Sequence, residues 1–200
     1  MIATRIRLDS RDHGRRLSLS EFDDAEYSPG FHYEIIDGRL YVAPAPDLPE
    51  NILESWLRNK VESYRHQRPD VVAYVAVRGR VFVSTKARST VPEPDLALYP
   101  SFLATDYNTV KWQDMSPMIV IEILVGGDMA KDLSRNPKLY HRLKSIREYW
   151  VLNASQDANR PTLVVHRRRG KSWAVEIHRF NSTYTTDVLP GFELVIDPHQ

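Results

Sequence analysis

The sequence predicts a mixed α/β domain built on a central sheet. Three observations carry that reading. The run Met118-Ile119-Val120-Ile121-Glu122-Ile123-Leu124 is continuously apolar but for one acid and has the length of a strand buried on both faces. Apolar residues at Ile52, Leu53, Trp56, Leu57, Val61 and Tyr64 follow helical spacing between Pro49 and His66. Turn signals at Asp37-Gly38 and Arg169-Gly170-Lys171 each join two strand-like runs into a hairpin. Strands, hairpins and helices interleaved in this way imply a central sheet flanked by helices.

In chain order, the charged segment to about Leu17 reads as an irregular arm or edge strand, and residues 18–200 read as one domain. Ser18 or Ser20 caps a short helix through Glu26, with Glu21, Asp23 and Asp24 near its positive end. Tyr33 to Val42 forms the Asp-Gly hairpin, a proline-rich loop spans Ala43 to Leu48, and the long helix follows. Val71 to Val77 and Val81 to Ser84 read as strands paired around Arg78-Gly79-Arg80, and Leu96 to Tyr99 as a further strand. After the Glu122 strand come a glycine loop, a helix to about Ser145, the strand Glu148 to Leu152, the basic-tipped hairpin of Thr162 to His166 with Ser172 to His178, and a last strand from Gly191 to Asp197.

Composition narrows the chemistry. Two hundred residues, 42% hydrophobic and 26% charged, suffice for a real core. The net charge of +1 argues neither for nor against a polyanionic partner. The absence of cysteine removes disulfides, thiolate zinc sites and a cysteine nucleophile, so any metal must be held by oxygen or imidazole, and a reducing cytoplasm is the expected setting. No stretch approaches the roughly 20 apolar residues of a membrane span. Met1 to Ser20 is broken up by Arg and Asp and does not read as a secretory signal.

Glu122 is the exceptional residue. An isolated carboxylate buried in a strand costs several kcal/mol against a net stability of about 5–15 kcal/mol, so it needs a partner. Pro94-Asp95 places a second carboxylate at the start of another apolar strand, where proline is tolerated. Two acids at strand ends can share one hard cation. Read alone, Asp95 is also compatible with a turn residue, and Glu34, alternating with His32 on its strand, with a half-exposed hairpin acid.

The ordered set Tyr33-Glu34-Ile35-Ile36-Asp37-Gly38, Pro94-Asp95, Val120-Ile121-Glu122-Ile123-Leu124, Asp132, Tyr140, Glu148-Tyr149-Trp150 and Leu189-Pro190-Gly191-Phe192-Glu193-Leu194 resembles the Uma2 family, over roughly Leu17 to Asp197. That family belongs to the PD-(D/E)XK nuclease-like superfamily. The resemblance implies a restriction-endonuclease-like fold, a mixed central sheet flanked by helices with additional antiparallel hairpins. It also implies Mg²⁺-dependent hydrolysis of DNA phosphodiester bonds, with Mn²⁺ as a substitute; the sequence itself leaves a homodimer open. Asp95 and Glu122 become metal ligands, and Glu34 a further acid that holds a second ion or orients water. Mg²⁺ suits such a set because it keeps several waters and needs one or two carboxylates plus phosphate oxygens.

One role departs from the family. The superfamily's usual lysine position, two residues after the strand acid, is Leu124, and the position four residues after Asp132, where many Uma2 members carry lysine, is Asn136. Losing one preorganised charge typically costs about 10²–10³ in rate. Asn136 before Pro137 reads either as a helix N-cap or as a water-orienting amide of the catalytic set. Lys131 supplies the charge only where the preceding loop curls back. Arg167, Arg168, Arg169 and Lys171 form a basic hairpin tip, a candidate nucleic-acid contact that reads phosphates without reading sequence. Beside the nuclease stand two further readings: a DNA-binding module with weak or no turnover, and a structural or oligomeric component.

Overall fold

The computed structural model describes residues 5–83, 89–101, 108–127 and 129–200. Contacts divide the chain into two compact units, Met1–Pro46 with Arg80–Glu93, and Asp47–Gly79 with Pro94–Gln200.

In the first unit, β1 (Arg7–Leu8) pairs in parallel with β2 (Glu26–Tyr27), and β3 (Phe31–Ile36) forms a hairpin with β4 (Arg39–Pro44). The expected turn is present, with Asp37 at φ 49° and Gly38 at φ 73°. Two consecutive left-handed residues match the strand twist, which is why Asp-Gly sits there. Helix α1 (Leu19–Asp24) starts at Ser18, whose hydroxyl accepts from the Glu21 amide while Glu21 accepts from the Ser18 amide. The helix stops before Glu26 because that residue joins β2. The segment read as an irregular arm contributes Leu8 and Leu17 to the core of this unit, beside Phe22, Tyr33, Ile35, Leu40 and Val91.

The second unit holds α2 (Leu48–Gln67), β5 (Tyr74–Val77), β6 (Leu96–Tyr99), β7 (Ile119–Leu124), α3 (Asn136–Tyr140), β8 (Glu148–Asn153), β9 (Thr162–Arg169), β10 (Ser172–His178), β11 (Thr183–Thr185) and β12 (Glu193–Val195). Six strands form one sheet in the order β10-β9-β8-β7-β6-β5. All its neighbours are antiparallel except β7 and β8. The mixed sheet and its hairpins match the predicted class. Asp47 caps α2, which buries Leu53, Trp56, Leu57, Val61 and Tyr64 as the spacing requires, whereas Ile52, one turn before the deeper positions, is exposed.

Three elements differ from expectation. β5 pairs with β6, while Val81 and Val83 donate to the Pro92 and Thr90 carbonyls in the other unit; Ser84 lies outside the described residues. A turn at Arg78-Gly79 separates the two runs. A Cβ on Gly79 would lie 2.8 Å from the Ala76 Cβ and 2.9 Å from the Trp112 ring, so only glycine fits. The helix expected to reach Ser145 ends at Tyr140, and its first part, Lys131–Arg135, is a π-helical turn. Finally, the last strand is matched by β11, which carried no periodic signal.

Candidate active site

β7 lies between two strands and all six of its residues are buried, so its one carboxylate, Glu122, is only 2% exposed. Its needs are met by the segment following the strand. Oε1 accepts from Asn136 Nδ2 at 2.9 Å and from the Tyr140 hydroxyl at 3.2 Å, and Oε2 lies 3.9 Å from Lys131 Nζ. Asp132, also buried, accepts from the same Asn136 Nδ2 at 3.0 Å and stands 4.0 Å from Lys131 Nζ. One amide therefore bridges two carboxylates, and one ammonium flanks both.

Asn136 is not an N-cap. A cap has extended backbone, whereas Asn136 is helical at φ −64°, ψ −37°, with the helical Arg135 before it. Its amide N–H reaches back to the Lys131 carbonyl, five residues earlier, the hydrogen bond of a π turn. Proline disfavours a helical residue before it and cannot donate to the ladder. Bonds from the Asn136 side chain to Glu122 and Asp132 oppose that cost.

Asp95 joins from the neighbouring strand. The β6–β7 register pairs Leu96 with Ile121, and one further step sets Asp95 opposite Glu122, on the same face of the sheet. Asp95 Oδ2 accepts from the Ile123 amide at 2.7 Å, and Oδ1 lies 3.9 Å from Arg78 Nη2. Burial pushes the Asp95 carboxyl up to about 7, opposed by the Ile123 hydrogen bond and by the charges of Lys131 and Arg78, and reinforced by Glu50. Arg78 is held at 2.8 Å by the buried Glu54 of α2, and its left-handed backbone, φ 53°, aims its amide at the Asp95 carbonyl. Burial raises Glu50 as well, against the charges of Arg78 and Lys131.

This arrangement is acidic, oxygen-rich and without sulfur. Glu50, Glu54, Asp95, Glu122 and Asp132 outnumber Arg78, Lys131 and Arg135, the cations that neighbour them or Asn136. Among the described residues no three His, Asp or Glu side chains converge as a metal-binding group. Two carboxylates on adjacent strands nevertheless fit Mg²⁺ or Mn²⁺, which keeps waters in its remaining positions.

Residues 19–197 match the sequence profile of Uma2, described as "Putative restriction endonuclease". The chain belongs to the Uma2 family. Its structure is similar to the crystal structure of "a putative nuclease belonging to DUF820" from Anabaena variabilis, with a TM-score of 0.66 and 18% identity over 90% of this chain and 95% of that one. At that identity the likeness shows a shared fold. No curated protein matches the chain.

The Uma2 chain thus brings Asp95, Glu122 and Asn136 together in one unit. Glu34 belongs to the other, where it is buried and accepts from the Glu93 amide at 3.1 Å. Lys131 does curl back onto Glu122, although Asp128 of the preceding loop lies outside the described residues. Sequence reasoning missed Glu50, Glu54 and Arg78. Glu54 carried a signal, since it continues the core-facing spacing of Leu57 and Val61 and is an acid where an apolar residue is expected.

The basic hairpin divides in two. Arg167 Nε lies 3.1 Å from Glu148 Oε1 and Arg168 donates to the carbonyls of Ile146, His141 and Leu143, while Arg169 and Lys171 are exposed at the tip. Tyr149 donates to the Asp132 carbonyl and Trp150 to Glu148, so both aromatics serve the interior. No helix among the described residues is long and apolar enough to cross a membrane.

Proposed function

We propose that this Uma2 protein hydrolyses DNA phosphodiester bonds with one divalent cation held by Asp95 and Glu122. The observation that carries the reading is the cross-strand placement of these two buried acids with Lys131 beside them. A bound Mg²⁺ or Mn²⁺ supplies Lewis acidity, activating water and screening phosphoryl charge. The chain's own residues do the rest. Asn136 and Tyr140 fix one oxygen of Glu122 and leave the other toward Lys131. The Ile123 amide fixes Asp95 in the same way. Asp95 has to lose its proton before it binds a cation, and the charges of Lys131 and Arg78 favour that loss. Lys131 offers its ammonium to the phosphate as negative charge develops there, taking the role expected at position 136.

A second reading, a DNA-binding module without turnover, is favoured by the lack of a third acid or histidine converging with the pair among the described residues. Supercoiled-plasmid cleavage with Mg²⁺ or Mn²⁺, run beside an EDTA control and Glu122→Ala, separates the two. Nicking that disappears with EDTA and in the variant supports the nuclease. DNA binding with no metal-dependent nicking supports the module.

A further inference from the structure

At the end of the β8–β9 pair lies a cleft of about 290 Å³ whose wall carries Arg147, Arg167, Arg168 and Arg169. Four guanidinium groups share it with two acids, Glu148 and Asp187. Glu148 is fully buried and already satisfied: it accepts from Trp150 Nε1 at 2.9 Å, from the Tyr184 hydroxyl at 2.7 Å and from the Thr186 hydroxyl at 2.7 Å. Its charge is matched by Arg167, which also lies 3.6 Å from Glu176.

The other three arginines have no such match. Among the described residues, no carboxylate forms an ion pair with Arg147, Arg168 or Arg169, Asp187 included. Arg168 is the most constrained. Its Nε donates to the Ile146 carbonyl at 2.7 Å, its Nη2 to those of His141 at 3.0 Å and Leu143 at 2.8 Å, and its guanidinium carbon stands 4.7 Å from the centre of the Trp173 ring. Burial without a carboxylate holds it below the usual arginine range. Arg147 and Arg169 are exposed and free to close on a ligand.

Three unneutralised guanidinium groups in a concavity concentrate positive potential, and the planar arginine fork matches the oxygens of a phosphate. We propose that this cleft is a phosphate-binding site, in which Arg147 and Arg169 close on the phosphate oxygens and Arg168 stands behind them as a fixed charge. Arg147, absent from the basic run that the sequence displays, becomes part of the site, and Arg167 leaves it as the partner of Glu148. The phosphate comes either from the backbone of a nucleic-acid strand or from a free phosphate anion. The site stands apart from the acidic centre, so it holds whether or not that centre cleaves.

The test is a binding titration in EDTA, which removes any metal-dependent contribution, with a single-stranded oligonucleotide and, separately, inorganic pyrophosphate. Two double variants are compared with the unmodified chain: Arg147→Ala/Arg169→Ala, and Lys144→Ala/Arg179→Ala as a control that removes the same charge elsewhere. The cleft variant is expected to lose about tenfold or more in affinity. For the oligonucleotide its log–log salt slope falls by about 1.4, two contacts at roughly 0.7 each. The control loses less than about twofold. Loss for the oligonucleotide identifies a strand backbone as the source, and loss for pyrophosphate alone identifies a free anion. Equal losses in the two variants, no loss in the cleft variant, or no binding of either probe by the unmodified chain overturns the proposal.

Discussion

The ammonium of Lys131 lies 3.9 Å from Oε2 of Glu122, although the two residues are separated by a glycine loop and by the start of a helix. The π turn Lys131–Arg135 widens the chain there and presents Lys131, Asp132 and Asn136 to one strand acid. On this geometry the positive charge expected at position 136 is supplied from position 131. Lys131→Met is expected to lower single-turnover cleavage by about 10²–10³ while changing DNA affinity far less. Asn136→Lys, placed in the Lys131→Met background, should restore part of the rate. A rate unaffected by Lys131→Met would remove the residue from the chemistry.

Asn136 itself is expected to matter for stability. Its amide donates to Glu122 and Asp132 together, so Asn136→Ala leaves two buried acids short of a donor and next to each other. A loss of about 1–3 kcal/mol in urea unfolding is the expected result. An N-cap role, by contrast, would give a loss recoverable by Asn136→Ser or Asn136→Asp. Neither replacement should rescue the protein here.

Asp95 gives the protein a pH dependence with a definite sign. Burial raises its carboxyl from 3.8 to about 7, so between these values the folded chain holds a proton that the unfolded chain has released. Stability from this group is full below about pH 4 and is lost as pH rises through about 7. Chemical unfolding across that window should show the unmodified chain weakening relative to Asp95→Asn. Metal affinity should move the other way and rise through the same range, since a cation competes with the proton. A flat difference between the two proteins would show that Asp95 is ionised throughout.

Glu148 tests the distinction between a structural and a functional buried acid. Its partners all belong to the second unit, where Trp150, Tyr184 and Thr186 are buried and Arg167 is half-buried. Removing it strands a guanidinium and three donors, and Glu148→Ala should cost about 3–5 kcal/mol. Divalent-metal affinity, measured below the denaturation midpoint, should be unchanged.

Strand periodicity and turn chemistry make most of the strands legible in the sequence. The β3–β4 and β9–β10 hairpins follow from Asp-Gly and Arg-Gly-Lys between apolar runs, and β7 follows from its continuous hydrophobicity. Local signals failed where tertiary contacts decide. The Val81 run does not pair with β5 because the Arg78-Gly79 turn sends it to Pro92 and Thr90. Asn-Pro carries the local signature of a helix start, yet two buried carboxylates hold Asn136 within a continuous helical segment. Of the site, Asp95 and Glu122 were readable as acids at the ends or centre of apolar strands. Arg78 was not, because its role depends on an ion pair with Glu54, 24 residues away in sequence.

The nuclease reading requires Asp95 and Glu122 to share one divalent cation. Calorimetric titration of Mn²⁺ at pH 8, where Asp95 is ionised, tests it most directly, with Asp95→Asn and Glu122→Gln measured beside the unmodified chain. The expected result is a single site in the unmodified protein, weakened by about tenfold or more in each variant and no further in the double variant than loss of that one site allows. Mn²⁺ binding of equal strength in all the proteins would place the cation elsewhere.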